Sequence, residues 1–63
     1  MIGSRFEDKK WGIMQCINIV KVQKTDIYHF LIDKTKHPHT NGKIEMLDST
    51  FEHQIQKGNI RSI

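Results

Sequence analysis

The chain has 63 residues, of which 37% are apolar, and ten Lys and Arg against seven Asp and Glu give a net charge of +3. A single core of this size rarely contributes more than roughly 3–5 kcal/mol, which argues against an active site built on costly buried charges. Its one cysteine, Cys16, excludes an intramolecular disulfide and fits a reducing compartment.

Ile2-Gly3-Ser4-Arg5-Phe6 reads as a short first strand anchored by Ile2 and Phe6, and Glu7-Asp8-Lys9-Lys10 as a charged connection. Trp11 is predicted to pack over the edge of the core, because a large ring buries much area. Its alternative role is a partner anchor or stacking platform. Ile13 to Gln23 is the longest strand, rich in β-branched residues. Within it the longest apolar-leaning run, Ile13 to Val22, is broken by Gln15, Asn18 and Lys21, so it is too short and too polar to cross a bilayer. Its apolar pattern changes phase: Trp11, Ile13, Ile17 and Ile19 share one parity, while Met14, Cys16, Val20 and Val22 share the other. Such a strand is buried on both faces or bent by a bulge, and in a chain this small the bend is predicted, at Asn18.

Lys24-Thr25-Asp26 is a predicted three-residue turn into the strand Ile27–Asp33. That register pairs Gln23 with Ile27, Val22 with Tyr28 and Val20 with Phe30, giving an apolar face completed by Ile32. Residues 34–42 form a polar loop, in which Pro38 cannot donate a ladder hydrogen bond. Asn41-Gly42 suits a hairpin turn with two positive φ angles. Lys43 to Leu47 alternates like a half-buried strand. Ser49 and Glu52 have capping-box spacing, Phe51 and Ile55 share a helix face, and Gly58 suits a left-handed stop. These features predict a helix over 49–57, followed by a last strand, Asn59–Ile63.

The expected fold is therefore one mainly β domain spanning 1–63, with five strands and one short helix before the last of them. The segment from Ile44 to Ile60 resembles the ending of small SH3-like proteins encoded by phages and mobile elements of Gram-positive bacteria. The shared pattern is an apolar strand, a Ser/Asp cap, Phe51, Ile55 four residues on, Lys57-Gly58 and a final strand. The resemblance covers about the last third of the chain. It implies a small five-stranded SH3-like barrel with the helix, at about 49–57, before the final strand. It implies no reaction.

The charge excess lies entirely in residues 21–43, where Lys21, Lys24, Lys34, Lys36 and Lys43 face only Asp26 and Asp33. A basic segment fits nucleic acid or an acidic protein surface. The strand geometry puts Lys21 and Lys24 at one end of a hairpin and Lys34, Lys36 and Lys43 at the other, about 20 Å away. His37 and His39 are potential zinc ligands, but the C-x₂₋₄-C or H-x₃₋₅-H pairing of structural zinc sites is missing. Cys16 lies in an apolar strand, where a free cysteine behaves as a small hydrophobe. No phosphate-binding glycine motif and no nucleophile–base–orienter set is present, so neither an enzyme nor a cofactor is expected.

The residues remaining for function are Lys34, Lys36, His37, His39, Lys43 and Trp11. The leading expectation is a cytoplasmic, non-enzymatic module that docks on and modulates a partner protein, as a monomer or a weak homodimer and without a membrane. The alternative is a small barrel that binds nucleic acid through the basic 34–43 loop, with Tyr28, Phe30 and Trp11 for stacking.

Overall fold

The computed structural model describes all 63 residues. Five strands form one antiparallel sheet: β1 (Arg5–Asp8), β2 (Gly12–Val22), β3 (Thr25–Leu31), β4 (Lys43–Leu47) and β5 (Ile60–Ser62). Their order across the sheet is β4-β3-β2-β1-β5. A 3₁₀ turn occupies Pro38–Thr40, and helix α1 (Asp48–Gln56) lies between β4 and β5. The mainly β class and the helix before the last strand are as expected. The sheet is not closed, however: β4 and β5 are its two edges, and α1 packs against β3, β4 and β5.

The bend in β2 organises the core. Cys16 faces Phe30 and Asn18 faces His29, so Ile17 is an extra residue in the ladder. Beside the bulge the Asn18 side chain accepts the Ile19 N–H at 2.9 Å. Before the bulge Met14 and Cys16 point inward; after it the inward residue is Ile19, which faces Tyr28. The predicted bend is present, but the register beyond it differs from the predicted one. Val20 faces Ile27 and Val22 faces Thr25, across a loop of only Gln23 and Lys24. Gln23 supplies the positive φ, +57°, that such a short turn needs at its first central residue. As a result Val20 and Val22 lie on the outer face and not in the core.

The core joins Phe6, Met14, Cys16, Phe30, Ile32, Phe51 and Ile60, with Trp11, Ile19, Tyr28, Ile44 and Met46 packed against it. Four aromatic rings meet there. Phe51 stacks on Phe30 at 5.5 Å and meets Phe6 and Tyr28 edge-on at 5.0 and 5.2 Å. Edge-to-face pairs of this kind contribute about 0.5–1.5 kcal/mol beyond their buried area. The first strand starts later than expected, at Arg5, and Ile2 is exposed. Ile63 ties its N–H to the Arg5 carbonyl at 3.2 Å while its side chain stays exposed.

The helix begins at Asp48, one residue before Ser49, with Leu47 at its N-cap and no side-chain cap hydrogen bond, so the Ser49–Glu52 capping box does not form. One Asp48 carboxylate oxygen accepts the Ser49 N–H at 2.7 Å, and the other accepts the Asp26 N–H at 3.2 Å. That second bond fastens the helix start to the start of β3. The stop is as read from the sequence. Gly58 has φ +79° and donates to the Ile55 carbonyl, and Asn59 donates to the Gln54 carbonyl, which is the Schellman pattern.

Candidate binding surfaces

One end of the sheet gathers most of the residues singled out from the sequence. The loop after β3 is held by its own hydrogen bonds. Asp33 Oδ1 accepts both the N–H and the hydroxyl of Thr35, at 2.9 and 2.6 Å. These bonds hold the Asp33 carboxyl below the usual carboxylate range, the hydroxyl bond contributing most. The Thr40 hydroxyl donates to the His37 carbonyl at 2.7 Å and accepts the Gly42 N–H at 3.2 Å. Ile32 closes the base by donating to the Gly42 carbonyl. Asn41 and Gly42 both take positive φ, but as the exit of the 3₁₀ turn and not as a two-residue hairpin. Lys34 lies over Gly42, so closely that a Cβ there would meet the Lys34 Cβ at 3.3 Å.

This folding brings His37 against Trp11, with ring centroids 5.0 Å apart. Lys10 adds its ammonium 4.7 Å from the centre of the Trp11 ring, within cation–π range. Trp11 therefore packs against the core on one side and joins the loop on the other. Lys10 escapes sequence reasoning because Glu7-Asp8-Lys9-Lys10 looks balanced. In the fold the Asp8 carboxylate turns inward and accepts the Lys10 and Trp11 N–H groups at 2.7 and 3.1 Å. The lysine side chains are thereby left at the surface. Lys34, Lys36, His39 and Lys43 sit around the loop but make no ion pair. The only two ion pairs are elsewhere, Arg61 with Glu7 and His29 with Glu45.

The second surface is the outer face of the sheet, and sequence reasoning misses it. The ladder sets Val20, Ile27 and Leu47 in one row across β2, β3 and β4, with Val22 one step further along β2. Val20, Val22 and Leu47 are 38, 50 and 46% exposed, and Ile27 is half-buried. The clue in the sequence is the strand with apolar residues on both parities. The bulge buries one set on each side of the bend and turns the other set out.

Cys16 is almost fully buried, its S–H donates to the Asn18 carbonyl at 3.6 Å, and burial pushes the thiol pKa up. Such a thiol is protonated and shielded at neutral pH. Native protein is expected to react with a thiol reagent about 10²–10⁴-fold more slowly than unfolded protein, because the reaction then waits for an opening of about 3–5 kcal/mol. Equal rates in a stopped-flow labelling assay contradict the burial. No three His, Cys, Asp or Glu side chains converge. A cleft of about 350 Å³ beside the α1–β5 turn is lined by Glu7, Asp8, Lys9, Gly12, Gly58, Asn59 and Arg61, without an apolar wall for a small molecule. Tyr28 belongs to the aromatic core, and burial, followed by the nearby carboxylates Asp26 and Asp48, raises its pKa. No helix is long and apolar enough to cross a membrane.

No protein-family model matches this chain, and comparison with curated proteins and with solved structures returned no match.

Proposed function

We propose that the protein is a non-enzymatic module that docks on a partner protein through the outer face of its sheet. The observation that carries this reading is the apolar row Val20–Ile27–Leu47 with Val22 beside it. Apolar side chains contiguous across three strands gain free energy when another apolar surface covers them. A polyanion leaves them wet. The His29–Glu45 row and then the Leu31–Lys43 row continue the same face, so the apolar patch is bordered by charges of both signs. The resemblance to small SH3-like proteins of phages and mobile elements, with a helix before the last strand, agrees with a module that modulates a host protein. The test is affinity capture with the wild type and with a Val22→Glu/Leu47→Glu variant side by side. A partner retained by the first and lost by the second supports the reading; equal retention rejects it.

A second reading rests on the other surface. Lys10, Trp11 and His37 stand together beside the loop that carries Lys34 and Lys36, an arrangement that offers a base a ring and phosphates cations. It is the weaker of the two because Phe30 and Tyr28, the other stacking candidates, belong to the core. Fluorescence anisotropy with a labelled single-stranded oligonucleotide decides it. Nucleic-acid binding predicts micromolar affinity with a steep salt slope, and a loss of at least about tenfold in a Lys34→Glu/Lys36→Glu variant. No binding even at low salt removes this reading.

A further inference from the structure

We propose that two copies of this chain associate by antiparallel pairing of their β4 strands, with Lys43 of each copy opposite Glu45 of the other. β4 is a free edge of the sheet. The Ile32 N–H donates to the Gly42 carbonyl at 2.8 Å, which fixes the phase of the β3–β4 ladder. By the alternation of antiparallel pairing, Gly42, Ile44 and Met46 turn their backbone groups toward β3. Lys43, Glu45 and Leu47 turn theirs to the open edge. A second strand can bond only where such outward residues stand opposite each other. This leaves registers centred on Lys43, Ile44, Glu45 or Met46.

Charge selects among them. Centring on Lys43 sets two lysines face to face, and centring on Glu45 sets two glutamates face to face. Centring on Met46 pairs Glu45 with Leu47 and leaves Lys43 beyond the overlap. Only the Ile44 register makes opposite-charge pairs, and it makes two of them related by the dyad. It also sets the two half-buried Ile44 side chains directly opposite one another, in the closer kind of pair. His29 lies 3.6 Å from Glu45 on the same outer face, so each Glu45 would stand between its own His29 and the other copy's Lys43. Charged residues ordinarily guard an edge strand against pairing. Here the same two charges repel in two registers and attract in one. The pairing uses the backbone edge and leaves Val20 and Val22 uncovered, so it stands or falls independently of docking through the outer face.

Sedimentation equilibrium over increasing protein concentration tests it, with circular dichroism to confirm folding of each variant. The wild type is expected to dimerise reversibly, and the Lys43 and Glu45 amides are expected to gain hydrogen-exchange protection as it does. Lys43→Glu and Glu45→Lys alone each convert both pairs to repulsion and should weaken the dimer about tenfold or more. The double charge swap restores complementarity on the same backbone and should return the dimer constant to within about threefold of the wild type. A wild type that stays monomeric up to about 1 mM, the limit of weak association, overturns the proposal. So does a dimer that the single reversals leave unchanged, or one that the double swap fails to recover.

Discussion

Phe30→Ala leaves most of the protein unfolded at 25 °C. Phe30 is fully buried and touches three other rings, with centroids 6.2 Å from Phe6, 6.3 Å from Tyr28 and 5.5 Å from Phe51. Truncating a buried Phe removes its transfer free energy and leaves a cavity, together about 3–5 kcal/mol. A single core of this size supplies about the same amount, so nothing is left to hold the sheet. Urea titration followed by Trp11 fluorescence measures the effect. A folded variant with a midpoint close to that of the wild type would mean that the core is centred elsewhere.

Val22→Glu/Leu47→Glu has the opposite profile: a large loss of docking with little loss of stability. Both residues are about half exposed, so charging them changes stability by about 0.5 kcal/mol each, the usual range for surface substitutions. At a protein interface the same change buries an unpaired charge against an apolar partner surface, and a loss of about 100-fold in affinity is expected. The contrast with the register predicted from sequence is direct. There Val22 faces Tyr28 inside the core, and Val22→Glu would cost as much as Phe30→Ala. Thermal melts of the two variants therefore separate the two registers before any partner is identified.

The elements legible in the sequence are those fixed by local chemistry. Gly58 ends the helix because only a residue tolerant of positive φ can turn the chain there. Lys43 to Leu47 is a strand with the bounds its alternation implies. The bulge is legible in the phase change around Asn18, a poor strand former whose side chain takes a backbone N–H. The register beyond the bulge is not legible. A single extra residue reverses the parity of every later position in the strand, and the length of the next turn sets the pairing. A two-residue turn at Gln23-Lys24 without glycine carries no strong signal, so the sequence alone points Val20 and Val22 inward.

The candidate sites divide in the same way. The lysines and histidines of the loop are visible as residue types, but their neighbour Trp11 lies far from them in sequence. Only the packing of the loop over the β1–β2 turn brings His37 to its ring. The inward turn of Asp8, which unmasks Lys10, depends on two backbone bonds within that same turn. The helix starts one residue before its predicted place, at Asp48, whose carboxylate accepts the Asp26 N–H of β3, a long-range bond that no local motif announces. The closed barrel implied by the resemblance is absent: β4 and β5 are the two edges of an open sheet, α1 packs against both, and β5 has only three residues with which to close the seam.

The most direct measurement places a photo-cross-linking amino acid at position 22, with controls at positions 36 and 53, in the cell that makes the protein. Position 22 reports on the outer sheet face, position 36 on the basic loop and position 53 on the exposed side of α1. Docking through the outer face predicts one discrete protein adduct from position 22 and none from position 53. An adduct from position 36 alone, or no discrete adduct from position 22, contradicts it.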